Sequence, residues 1–349
     1  MRIRKELCLH ISLGAHPQPH LDRASAFSHT RSMMRAQRLM RAGSSKRAAV
    51  GISHSGAHRR LHTSLPSGFQ MDVDRHVVWE QLQQEAVEAL HASDDGFGFK
   101  ELVRKRILAH DTMGASLSST LKSKLLRQCL DFGSMSAAAY EEDPTLLDYA
   151  AADLHRWLQM DPAAGGILRI FLFFKGFHSV QCARVSHHYW HRKCSRGATS
   201  GRMLALALQS EMSDVFGVDI HPASKWGYGI TMDHGGGCVV GETAVIGDNV
   251  YLMHDVTLGA TGTSDAHDRH PKIGRGAFLA AKCTVLGNIT VGPYAIVGAH
   301  ALVTKPVPAG HTAVGVPAKI KPPFDKLKVS PGGAILDDAF ANAGDGIYI

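Results

Sequence analysis

Two stretches of this 349-residue chain concentrate side chains that can move protons or hold charge. The first carries Asp219 in VDIHP and, fifteen residues later, Asp233-His234 ahead of three glycines. Histidine is the side chain whose proton affinity lies nearest neutrality, so it suits general-base work. A carboxylate beside it can fix its tautomer and stabilise the imidazolium. The same pair would also serve as a turn histidine and a capping aspartate. The second stretch is the polar, glycine-rich run 259–271, which packs Asp268-Arg269-His270 together. An arginine fork can donate twice to one carboxylate.

What must position these residues is legible as a period. From Ile273 an aliphatic residue returns every six positions, at Leu279, Val285, Val291, Val297 and Val303. Upstream, Val240, Ile246, Leu252 and Leu258 keep the same step, as do Ile220, Trp226 and Met232. Strict sixes fit neither an amphipathic helix nor a two-residue strand alternation. They fit a hexapeptide repeat in which three short strands close one triangular coil of a parallel β-helix. The run 259–271 is read as the one break in that repeat, because Leu258 and Ile273 are fifteen apart. A polar excursion from a rigid solenoid is a usual place to build a site. Trp226 replaces an aliphatic rung and asks for local widening.

Residues 71–217 read as helical. Val77, Leu82, Ala86 and Leu90 recur at helical spacing, and Asp143-Pro144-Thr145 and Asp161-Pro162 read as helix starts. The expected class is therefore α+β: an N-terminal all-α domain, then a β-helix over 218–320. Residues 321–349 are rich in Pro and Gly and read as a flexible tail. The longest apolar run, 167–174, contains Arg169 and is too short for a membrane span.

The net charge of +7 resides in the leader. Residues 1–68 hold twelve Lys or Arg against two acids, leaving 26 basic and 29 acidic residues elsewhere. The high net charge thus gives no support to a nucleic-acid-binding face on the folded part. The leader, 1–70, is Arg-, Ser- and Ala-rich and suits a mitochondrial or plastid transit peptide. A basic tail on a cytoplasmic protein, or translation from Met33, Met34 or Met71, is the alternative. Six cysteines without a CxxC read as reduced thiols.

The motifs VDIHPASK, DHGGGCVVGETAVIGD, VTLGATGT, DRHPKIG, LGNITVG and GVPAKI, together with Lys175-Gly176-Phe177-His178 and Gln181, resemble the serine O-acetyltransferase family. That resemblance implies a left-handed coil, acetyl transfer from acetyl-CoA to L-serine as the first step of cysteine biosynthesis, and direct attack without an acyl-enzyme. No permanently bound cofactor and no metal are implied. It implies His234 as general base, oriented by Asp219, with His270 assisting at the substrate or its oxyanion. The serine ammonium falls to Asp161 and Asp233, and its carboxylate to Arg269 and His270. Acetyl-CoA falls to backbone groups near Gly259, Ala260 and Ala281, with Lys305 or Lys319 for its phosphates, each equally readable as a solvated surface charge. Ala260 stands where the family usually has glycine, and 263–267 is atypical. The family assembles as trimers or hexamers. Its members bind O-acetylserine sulfhydrylase through a terminal isoleucine, here Ile349. Competing readings are another acceptor, a metal enzyme using His234, His254 and His270 in the manner of γ-type carbonic anhydrases, and a non-catalytic scaffold.

Overall fold

A computed structural model describes residues 73–93, 97–125, 130–161, 163–192, 198–262 and 267–323. The leader, the tail with Ile349, and residues 263–266 lie outside the described residues, as do Cys8, Cys129 and Cys194. The first helix, α1, spans Arg75–Ala92; Asp74 caps it by accepting from His76 N at 2.8 Å. Its buried stripe is Val78, Leu82 and Ala86, whereas Val77 is 59% exposed. Leu82, Ala86 and the partly buried Leu90 lie on the expected face, and only Val77 is displaced from it, by its neighbour Val78. The chain continues through α2 (Phe99–Val103), a π-helical turn Arg104–Leu108, α3 (Met113–Lys124) and α4 (Phe132–Glu142).

Helix α5 spans Thr145–Met160, and Asp143 Oδ1 accepts from Thr145 N at 3.2 Å, as expected of a helix start there. Asp161 behaves otherwise. It is the C-cap of α5, and its Oδ1 accepts from Ala163 N at 2.8 Å; the next helix, α6, begins only at Ile167 (Ile167–Phe173). Helices α7 (Lys175–His191) and α8 (Ala198–Phe216) complete the helical part. No helix of the described residues is long and apolar enough to cross a membrane.

Among the described residues fifteen short strands follow, β1 (Asp219–Ile220) to β15 (Lys319–Lys321). They stack into three sheets, β1-β4-β7-β10-β13, β2-β5-β8-β11 and β3-β6-β9-β12-β14-β15, parallel except for the β14–β15 pair. Each strand up to β10 thus pairs with the strand three later, so three strands make one turn of a left-handed β-helix. The hexad residues fill its core: Ile273, Leu279, Val285, Val291, Val297 and Val303 are all buried. Trp226 is only half-buried, with Nε1 donating to Ser224 Oγ at 2.9 Å.

The register contradicts the reading of a single break. Val245 pairs with Lys272, twenty-seven residues on, where the regular step is eighteen, as in Thr284 with Leu302. In addition, Asp219 pairs with Val239, twenty residues on. Two extra residues therefore sit between β3 (Thr231–Met232) and β4 (Val239–Val240), in the segment that holds Asp233 and His234.

A buried ion pair joins the two parts. Arg184 on α7 pairs with Asp153 on α5, and both are nearly inaccessible. Gln181 Nε2 donates to Asp153 Oδ2 at 2.8 Å, Ile230 N donates to Asp153 Oδ1 at 2.8 Å, and Arg184 Nη2 donates to Gly227 O at 2.7 Å. Every oxygen of the buried carboxylate is thereby used, which offsets the cost of desolvating the charges. The segment just before β3, and so before His234, is fixed to the helices.

Candidate active site

The extra residues between β3 and β4 push His234 outward. It lies at φ 58°, in the left-handed region, and its side chain is 74% exposed. The turn is tight: Gly235 N donates to Asp233 O at 2.7 Å and Gly236 N to His234 O at 2.8 Å. Helix α7 supports it from beneath. A Cβ on Gly176 would lie 1.8 Å from Met232 O, and one on Gly235 would lie 3.2 Å from Gly176 Cα. Glycine at 176 is thus what lets the helix seat on the loop. The His234 ring meets the His254 ring edge-on at 5.8 Å, and its Nε2 lies 3.7 Å from Asp233 Oδ1.

Asp219 stands at the same corner of the prism, since its N–H bonds Cys238 O at 2.8 Å. Its Oδ1 accepts from Gln209 Nε2 on α8 at 2.7 Å. Within this chain Asp219 and His234 share a corner rather than a hydrogen bond. Ala281, between β9 (Phe278–Leu279) and β10 (Thr284–Leu286), lies at that corner too.

Arg269 and His270 occupy a different corner, between β7 (Thr257–Gly259) and β8 (Lys272–Ile273). Gly259 ends β7 and Ala260 follows it; Lys305, exposed, follows β13 (Leu302–Val303) at the same corner. Asp161 belongs to neither corner; it ends α5, which packs on β3. The width of the β1-β4-β7-β10-β13 sheet separates the His234 corner from the His270 corner.

His270 is buried, and its chemistry is well defined. Thr243 N donates to Nδ1 at 3.2 Å, and an amide N–H can only donate, so Nδ1 is the unprotonated nitrogen. The proton is on Nε2. Burial, reinforced by the nearby Arg269 and Lys272 charges, lowers the His270 pKa below the usual histidine value. The ring is therefore a neutral Nε2–H donor. Gly241 provides its space, since a Cβ there would lie 2.0 Å from His270 Cδ2 and 2.1 Å from Nε2.

The described cysteines carry no such activation. Burial pushes the Cys238 thiol up to about 11 and Cys283 up to about 12, and raises Cys182 as well. Among the described residues, no cluster of three or more His, Cys, Asp or Glu could hold a metal ion.

Residues 78–182 match the family model for the serine acetyltransferase N-terminal region, and 270–305 match bacterial transferase hexapeptide repeats. The chain is 39% identical over 258 residues to serine acetyltransferase of Haemophilus influenzae, covering 71% of this chain and 92% of the relative. The chain belongs to the serine acetyltransferase family. Among solved members, the soybean serine acetyltransferase complexed with serine is 41% identical, with a TM-score of 0.65 over 71% of this chain and 99% of that one. A serine acetyltransferase in complex with CoA is 38% identical, with a TM-score of 0.65 over 71% and 100%.

Three residues that support this acetyltransferase site have no site role in the sequence reading: Gly241, there only a turn glycine after Val240, Thr243 in VVGETA, and Lys272 in DRHPKIG. Lys272 Nζ donates to Asp268 Oδ1 at 2.6 Å, His270 O at 2.7 Å and Thr243 O at 2.9 Å. The signal lay in the motifs themselves. The roles emerge only when one coil is laid on the next.

Proposed function

We propose that this chain transfers the acetyl group of acetyl-CoA to the hydroxyl of L-serine, releasing O-acetyl-L-serine and CoA. The observation that carries the reading is the pair of corner sites, an exposed imidazole at His234 and a neutral Nε2–H donor at His270 beside Arg269, in a chain of this family. His234 removes the hydroxyl proton as the serine oxygen attacks the thioester carbonyl. The C–S bond then breaks, and the proton passes to the departing thiolate. Asp219, held from one side by Gln209, orients the base. Arg269 and His270 take the substrate carboxylate, with the His270 donor also in reach of the developing oxyanion. Asp161 and Asp233 take the ammonium, and Gly259, Ala260, Ala281 and Lys305 line the acetyl-CoA groove. The raised thiol pKa values at Cys182, Cys238 and Cys283 favour direct attack over an acyl-cysteine. The test is thiol release from acetyl-CoA with a panel of hydroxyl amino acids. Fast release with L-serine is expected; release with another acceptor and none with L-serine would overturn the reading.

The separation of the two corners supports a homotrimer, itself able to pair into a hexamer, in which the His234 corner of one subunit faces the His270 corner of the next. Mixing His234→Ala and Arg269→Ala chains, at serine concentrations where neither parent turns over, should then restore activity to about a quarter of wild type, the random-mixing value for a closed ring. No recovery would reject the shared site.

For the regions outside the described residues we propose that 1–70 directs import into a mitochondrion or plastid. A fusion of 1–70 to a reporter that stays cytoplasmic would reject this. We propose that Ile349 docks into O-acetylserine sulfhydrylase, its aliphatic side chain contributing roughly 1.5–3 kcal/mol on burial. Deleting Ile349 should abolish the complex and spare acetyl transfer; unchanged partner affinity would reject the role.

A further inference from the structure

Thr243 uses all three of its polar groups on the segment that carries Arg269 and His270. Its N–H donates to His270 Nδ1 at 3.2 Å. Its hydroxyl lies 2.9 Å from the same Nδ1. The hydroxyl oxygen also accepts from the backbone N–H of Arg269 and of His270, each at 3.1 Å. Its carbonyl accepts from Lys272 Nζ at 2.9 Å.

These bonds are consistent with only one tautomer of the His270 ring. The oxygen has two lone pairs, and the two amide donors occupy them. Its single proton then faces the Asp268 carboxylate and Nδ1, and the one lone pair of Nδ1 already accepts from Thr243 N. Nδ1 must be bare, and Nε2 must carry the ring proton. Because the two amides belong to Arg269 and His270, the same oxygen sets the spacing between the guanidinium-bearing and imidazole-bearing residues. Such convergence on one half-buried oxygen leaves the ring no second rotamer with equal bonding.

We infer that Thr243 is a positioning residue for serine recognition: its backbone N–H sets the Nε2–H tautomer of His270, and its hydroxyl holds that ring in register with Arg269, so that the two present one preassembled carboxylate site. This deepens the proposed function and rests on its assignment of Arg269 and His270 to the substrate carboxylate. It accounts for a threonine at this corner, where a turn alone would accept many residues. The charged and titratable groups around His270 are Arg269, Lys272, Glu242 and His221, with Asp268 bonded to Lys272 and Thr243. None of them supplies a hydrogen bond to Nδ1 in place of Thr243.

The test uses the full chain in its assembled state, with Thr243→Val, which keeps the shape and removes the hydroxyl, Thr243→Ser, which restores it, His270→Ala, and the Thr243→Val/His270→Ala double variant. Thr243→Val should lower kcat/KM for serine by about 10- to 100-fold while the acetyl-CoA KM stays within about 2-fold, the size expected for losing one positioning contact. Thr243→Ser should recover to within about 3-fold of wild type, and the double variant should be no worse than His270→Ala. If Thr243→Val does not assemble, Thr243→Ala, which leaves room for a water in place of the hydroxyl, takes its place with the same serine-selective loss expected. An impaired His270→Ala beside an unimpaired Thr243→Val, or losses that multiply in the double variant, would overturn the positioning role alone. An unimpaired His270→Ala would overturn the carboxylate assignment and the positioning role together. Equal rises in both KM values would also overturn it, as the mark of a loosened corner.

Discussion

Gly241 and His270 contend for one volume: a methyl group on Gly241 would sit 2.0 Å from the imidazole Cδ2, although the two residues are twenty-nine positions apart in sequence. One turn of the β-helix, lengthened by the excursion after β7, brings them together. The buried ring can occupy its place against Thr243 only because position 241 has no side chain.

Gly241→Ala should therefore expel the ring and lower kcat/KM for serine by about two orders of magnitude, with acetyl-CoA binding far less affected. A displacement of about 1 Å at a site is enough for that loss. Steady-state kinetics on protein with an unchanged circular dichroism spectrum is the check, and near-wild-type serine kinetics would show that the ring has room elsewhere.

His234→Ala should lower turnover by about two to four decades, the usual size of a general-base effect. The fold should survive, because His234 is exposed and bonds the turn through its backbone. Asp219→Asn should be milder, since the imidazole remains. Retained turnover in the assembled His234→Ala protein would remove His234 from the reaction.

Arg184→Met should destabilise the protein by roughly 3–5 kcal/mol, because the buried Asp153 carboxylate would lose its countercharge. Chemical denaturation measures this directly. A loss below about 1 kcal/mol would mean that Gln181 and the Ile230 amide satisfy the carboxylate without the guanidinium.

The buried His178 gives a pH signature. Burial depresses its pKa to about 3, and Nε2 bonds Phe171 O at 2.8 Å. Above about pH 6.5 both folded and unfolded chains hold the ring neutral. As pH falls below that value, only the unfolded chain takes up the proton, so stability is lost progressively toward the folded pKa. The slope approaches about 1.4 kcal/mol per pH unit. Unfolding free energies between pH 5 and 6.5 should fall more steeply for wild type than for His178→Gln. Parallel curves would show that the ring protonates in place.

The hexad period, the resemblance carried by VDIHP, DHGGG and DRHPKIG, and the all-α stretch before them were readable because each depends on neighbours along the chain. An aliphatic residue every sixth position must face one side of a short strand, whatever lies on the next coil. The tertiary structure decided the remainder. Helical spacing alone placed Val77 on the core face of α1, where packing put Val78. Asp161 read as a helix start and became a helix end. The two residues added around His234 were invisible beside the larger break, because a change of two in a six-residue period leaves the aliphatic rungs recognisable. Above all, Thr243 and Gly241 found their partners near position 270 across the coil. Local sequence specifies a turn, but a hydrogen bond between residues twenty-seven positions apart exists only once the number of residues in each coil has set which corner lies over which.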